Sequence, residues 1–195
     1  MSPRPRTVHD REILAAAARV IGRVGPARLT LALVADEVGL APATLIQRFG
    51  SKRGLLLAIA ESGREDPGPW LARLRERHPS PLAALREFLI GFTRMASTPD
   101  EMANHLAFFQ MDLTDPDLRR VTQAVFAVNE RAVTGLLRDA VAAGELRRVD
   151  PEALAPVLLT VAQGSLLSWA VHRKGSARAW ARRHVETALQ PYLAG

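Results

Sequence analysis

The chain has 195 residues, 48% apolar and 24% charged, with no cysteine and a formal net charge of +6. Such a length and balance suit one or two globular domains with a sizeable core, and the missing thiols exclude cysteine catalysis and any disulfide framework. The N-terminus has no apolar h-region, and no run reads as approaching the roughly 18 uncharged apolar residues of a membrane span, so the expectation is a cytoplasmic protein with no membrane partner.

Charge is unevenly placed. Residues 1–60 hold nine Lys or Arg against four Asp or Glu, and the rest hold 17 against 16. A basic excess confined to one end is the electrostatic footprint of nucleic-acid binding. With 24 Arg to 2 Lys, a GC-rich genome accounts for the choice of Arg, though not for the thinning of acids near the N-terminus. Pro3 and Pro5 keep the first residues from starting a helix, so Arg4 and Arg6 read as a basic arm able to reach DNA. Thr7 or Asp10 is placed to cap a first helix whose apolar positions, Ile13, Ala17, Val20, Ile21 and Val24, form one stripe. Gly25-Pro26 ends it.

The stretch from Leu29 to Leu56 reads as two short helices joined by a tight turn and followed by the start of another. Leu31, Val34, Ala35 and Val38 repeat at helical spacing, Gly39 supplies the left-handed residue that stops the helix, and Pro42 suits a first turn. Leu45 and Phe49 face the core, which leaves Ala43, Thr44, Gln47 and Arg48 towards solvent on a helix able to enter a major groove. Gln47 can pair with adenine and Arg48 with guanine. Ser51 reads as an N-cap. Lys52 in the next first turn opposes the helix dipole unless an anion sits there, so a phosphate contact is expected of it, as of Thr30.

Ile13, Ala16-Ala17, Gly25, Thr30, Val34-Ala35, Gly39-Leu40, Thr44-Leu45, Phe49 and Ser51-Lys52-x-x-Leu55 resemble, in matching spacing, the DNA-binding domain of the TetR family of bacterial transcriptional repressors. The resemblance covers about a quarter of the chain. It implies a helix-turn-helix that binds a double-stranded operator, for which the candidate contacts are Arg4, Arg6, Thr30, Ala41, Pro42, Ala43, Thr44, Gln47, Arg48 and Lys52. Two positions depart from the family pattern. Ile46 stands where a tyrosine usually contacts phosphate, and Pro42 where a polar or basic residue is common.

Gly63 to Pro69 is a breaker-rich boundary, dividing a DNA-binding domain at 1–62, with its linking helix 51–62, from a second domain at 63–195. Beyond it a short helix is possible at 70–78, and helices are expected at about 82–97, 100–112, 116–143, 151–173 and 176–193. No strand alternation occurs, so the fold class is all-α, with about nine helices in total. The segment 151–173 is apolar on nearly every side and must be covered on every side. Its Leu154, Val157, Leu158 and Val161, with Trp180 and Leu189 from the last helix, are the candidate surface for a homodimer, an arrangement the resemblance also implies.

No catalytic constellation is present. The five histidines lack H-E-x-x-H spacing or a completing carboxylate set, and neither a G-x-S-x-G elbow nor a phosphate-binding G-x-x-x-x-G-K-[ST] loop occurs. The chain therefore reads as no enzyme, with no metal and no cofactor. The resemblance implies a small-molecule effector, and pockets between helices are usually apolar with a few polar groups. The candidate pocket is Phe88, Phe92, His105, Phe108, Phe109, Phe126, Asn129 and Gln163. The leading reading is a ligand-released DNA-binding repressor. A DNA-binding dimer without an inducer is the rival, and a helical carrier or enzyme a more distant alternative.

Overall fold

The computed structural model describes residues 8–62 and 68–194. Ten α-helices run in order: α1 Asp10–Arg28, α2 Leu31–Val38, α3 Pro42–Phe49, α4 Lys52–Ser62, α5 Gly68–Arg77, α6 Pro81–Ile90, α7 Pro99–Thr114, α8 Pro116–Ala142, α9 Pro151–His172 and α10 Ala177–Leu189. Tight 3-10 turns follow α6 at Gly91–Met95 and α10 at Gln190–Tyr192. No strand occurs among the described residues, and the fold is all-α. Arg4, Arg6 and Thr7 lie outside the described residues.

Local chemistry sets most helix ends. Thr30 Oγ1 accepts from the Leu33 amide at 3.1 Å, and the Asp150 carboxylate accepts from Glu152 and Ala153 at 3.0 and 3.2 Å, so each satisfies N–H groups that the first turn leaves unpaired. Gly39 ends α2 at φ 71°, and α1 breaks at Gly25, where φ is 78°. At the start of α1 the cap is His9 rather than Thr7 or Asp10, and its side chain makes no capping bond. The Asp10 carboxylate is drawn instead to Arg48. The helix expected over 82–97 ends at Ile90, where the chain tightens to pass Trp70; a Cβ on Gly91 would lie 3.3 Å from the Trp70 ring.

The chain forms two compact units. The first comprises Met1–Glu65 and Ala103–Thr122. Its core is Ile13, Ala17, Val20, Ile21, Leu29, Val34, Ala35, Leu45, Leu55 and Leu56, with Phe108 and Met111 packed against it. Asn104 of α7 donates to the Gly22 carbonyl at 2.7 Å. The N-terminal helices are thus completed by a segment some forty residues further along the chain, which a single cut near residue 62 leaves out.

The second unit comprises Asp66–Met102 and Gln123–Gly195. Its core draws Leu82, Leu85, Phe88 and Leu89 of α6 together with Val133, Leu136 and Leu137 of α8, Leu154, Leu158 and Leu159 of α9, and Val185 and Leu189 of α10. Two sequence expectations change here. By length and composition alone α9 is apolar enough to cross a membrane, contrary to the reading that no run approaches that limit, and 44% of its apolar window is buried in the protein. Leu154, Leu158 and Leu189, expected to face a second subunit, are only 6%, 0% and 0% exposed within their own chain. The solvent side of α9 carries Ala153, Val157, Thr160, Gly164, Leu167 and Val171 instead. Val161 and Trp180 are half-buried.

Candidate nucleic-acid interface

The pair α2–α3 is a helix-turn-helix held on α1 by Val34, Ala35 and Leu45, all fully buried. Leu45 anchors α3 from its middle, so the positions flanking it point elsewhere. Ala41, Pro42, Ala43, Ile46 and Gln47 are exposed, and Thr44 is half-buried. Ile46 is 54% exposed, unusual for a large apolar side chain at so well packed a corner. Arg48 is exposed as a residue, but Nη1 of its guanidinium is engaged: it donates to the Val8 carbonyl at 2.7 Å and to Asp10 Oδ1 at 2.9 Å. The expectation of a guanine contact from Arg48 thus meets a competing role, tying α3 to the start of α1.

Around this surface much of the counted positive charge is already paired. Arg19 and Arg23 of α1 clasp Glu37 of α2, and the Arg23 hydrogen bond holds the Glu37 carboxyl below its ordinary range. Arg53 bonds Asp117 at 2.7 Å and Asp115 at 3.0 Å, bracing α4 against the α7–α8 corner within the first unit. Asp115 is held below the usual carboxylate range first by the Leu118 amide and also by Arg53, while Asp117 is lowered first by Arg53 and then by Arg120. The basic excess of residues 1–60 is therefore partly neutralised by acids from beyond residue 60.

What remains suits phosphate. Lys52 donates to the Ala27 carbonyl at 2.8 Å, which leaves further N–H groups on the same ammonium. Thr30 accepts from Leu33 and keeps its own hydroxyl proton to donate. Ser51 Oγ accepts from the Gly54 amide at 3.1 Å at the start of α4. Gly54 itself went unnoticed in the sequence. A Cβ there would sit 2.0 Å from the Phe49 carbonyl oxygen, so the turn from α3 into α4 requires glycine at that position. The signal was a glycine inside a first turn, where helix propensity alone disfavours it.

Among the candidate pocket residues the structure brings three together. Phe88, Phe92 and Asn129 line a cavity of about 200 Å³ in the second unit, with Trp70, Gly91 and Arg94. Phe88 meets Trp70 at 4.7 Å and Phe92 edge-on at 5.9 Å between ring centroids, and the Arg94 guanidinium lies 5.1 Å from the Trp70 centroid. Phe108 packs instead against the core of the first unit. His105 and Phe109 belong to that unit too, and Phe126 and Gln163 are not among the cavity's lining residues. Helical spacing shows which residues share a face, but not which neighbour that face meets. Trp70 and Arg94 were missed because each lies in a short element beside a break.

Comparison with known proteins bears on both units. Residues 13–59 match the model of bacterial regulatory proteins of the tetR family, and residues 81–193 match that of the BetI-type transcriptional repressor C-terminal region. Over 126 residues the chain is 30% identical to the HTH-type transcriptional regulator BetI 1 of Chromohalobacter salexigens, a match covering 64% of this chain and 60% of that protein's length. A transcriptional regulator of Saccharomonospora viridis solved with choline superposes with a TM-score of 0.74 at 19% identity, over 94% of this chain and 96% of that one. A TetR transcription regulator of Haloarcula marismortui gives 0.75 at 20% identity, over 94% and 97%. The regulator FadR of Bacillus subtilis, solved with stearoyl-CoA, gives 0.67 at 16%, over 93% and 98%.

Proposed function

Because this chain belongs to the TetR family of bacterial regulatory proteins, with a C-terminal region of the BetI repressor type, we propose that it is a cytoplasmic, homodimeric DNA-binding repressor released from its operator by a small molecule. The observation that carries this reading is the recognition helix α3. It is pinned by Leu45 and presents Pro42, Ala43, Ile46 and Gln47 outward, with Thr30 capping α2 and Lys52 opening α4. Two copies must set their recognition helices about 34 to 36 Å apart, or a multiple, to read successive turns of one duplex face. The exposed side of α9 supplies the surface for that pairing. The reading assigns the chain no catalytic chemistry.

The cavity at Trp70, Phe88, Phe92, Arg94 and Asn129 is the effector site of this reading. Structural neighbours solved with choline and with stearoyl-CoA support a ligand-holding role, and their disparity leaves the ligand's chemistry to each chain's own residues. One observation favours the rival without an inducer: about 200 Å³ is small beside the roughly 300 to 1,000 Å³ of most ligand pockets. An electrophoretic mobility assay on DNA upstream of the protein's own gene tests the core of the proposal. Specific retardation by a dimer, absent with a scrambled duplex, is expected. Equal affinity for both duplexes at every salt concentration would sink it. A thermal-shift screen then separates the two variants, since an inducer must both stabilise the protein and lower operator affinity.

A further inference from the structure

The face that α3 turns outward is almost uncharged. Pro42 and Ile46 form one column a turn apart, Ala43 and Gln47 the next, and all four are exposed. The single cation of the helix, Arg48, has its Nη1 spent on Val8 and Asp10. Base edges in the major groove differ in what they offer such a surface. Guanine presents two acceptors and asks for a paired donor such as arginine, adenine presents an acceptor beside a donor, and thymine alone presents a methyl group. An amide side chain has the donor and acceptor that adenine needs. The sec-butyl side chain of Ile46, held out from the helix, has only a methyl group to meet.

We infer that this chain reads A·T base pairs, with Ile46, which cannot make the phosphate contact of the tyrosine it replaces, packing instead on a thymine methyl and Gln47 bonding an adenine, so that its operator half-sites are A·T-centred. The inference rests on the DNA-binding reading above and names the class of sequence that it takes. It also agrees with the composition. A chain with 24 Arg and 2 Lys fits a GC-rich coding background, in which A·T-centred sites would be scarce. Specificity depends on the number of competing sites as well as on affinity, so a modest apolar readout gains discrimination there.

Selection of bound duplexes from a random pool, using the full-length dimer, gives the probe. Within the selected site each thymine is replaced in turn by deoxyuridine, which removes the methyl and leaves the base pair intact. Wild-type affinity is expected to fall about fourfold at one or two positions per half-site, the size of one buried methyl group. Ile46→Ala should bind more weakly and lose that sensitivity, while Gln47→Ala relaxes the preference for adenine and Arg48→Ala keeps the same consensus. Ile46 is 54% exposed, so the variant should melt like the wild type, which a thermal scan checks. A G·C-centred consensus, affinity indifferent to deoxyuridine, or an equal deoxyuridine effect in Ile46→Ala would each overturn the inference while leaving DNA binding in place. A pool with nothing enriched would overturn the DNA-binding reading, and this inference with it.

Discussion

At the scale of single residues, the structure separates side chains that hold the motif from those left to meet DNA. Lys52 bonds Ala27 with only part of its donor capacity, so Lys52→Ala should weaken binding to all sequences alike and lower the slope of log affinity against log salt by about 1. A changed base preference with an unchanged slope would contradict that role. Gly54 is structural. Gly54→Ala would press a methyl group onto the Phe49 carbonyl at 2.0 Å, and should cost at least about 1 to 3 kcal/mol, the usual range for overpacking, in denaturant titrations. Asp112 is the reverse case. It is 8% exposed, its Oδ1 lacks a partner, and burial pushes its carboxyl above the ordinary range, opposed by a hydrogen bond with Thr122. A raised folded-state value means stability that is full in acid and is lost as pH rises through it. Asp112→Asn should therefore raise the melting temperature at neutral pH. The gain should disappear at low pH; a constant gain across pH would show that charge burial is not its cause.

At the scale of elements, the clearest sequence signals were local ones. Gly39, Pro42 and Leu45 each act within a few residues of themselves, and the ends and faces they predicted are those observed. Arg48 and Arg53 were harder, because their acidic partners lie 38 and 62 to 64 residues away. No periodicity reports a pairing between elements so distant in sequence. The same blindness scattered the pocket candidates: α7 and α8 carry good apolar stripes, but residues 103–122 fold with the first unit and the rest of α8 with the second. The Arg53 clamp makes a testable claim about how α4 is held. Asp115 and Asp117 have lowered folded-state values, so their contribution is present above the ordinary aspartate value and is lost as pH falls through the lowered ones. Relative to Asp115→Asn/Asp117→Asn, the wild type should be the more stable at neutral pH, and the two should converge in strong acid. A difference that persists unchanged into strong acid would mean the clamp acts through packing rather than charge.

For the whole molecule, the proposed pairing of two copies turns on a surface that the single chain leaves exposed. On α9, residues 153, 157, 160, 164, 167 and 171 fall at alternating steps of four and three, and every one of them is exposed. That spacing fits the seam of a helix packed against another helix, and its alanine and glycine positions would let a second backbone come close. Leu167 and Val171 are 48% and 72% exposed, whereas Leu158, on the opposite side, is fully buried. Two arginine substitutions therefore separate assembly from folding. Leu158→Arg puts an unpaired charge in the core and should unfold or aggregate the protein. Leu167→Arg should leave helical content and melting close to those of the folded monomer, yet sediment as a monomer at micromolar concentration. Its affinity for a two-half-site operator should fall about a hundredfold or more, because the second half-site is no longer held at high effective concentration, while its affinity for an isolated half-site should hardly change. A monomeric wild type would remove the basis for this expectation. So would a Leu167→Arg protein that still dimerises, because the seam would then not be the surface that brings two recognition helices onto one face of the duplex.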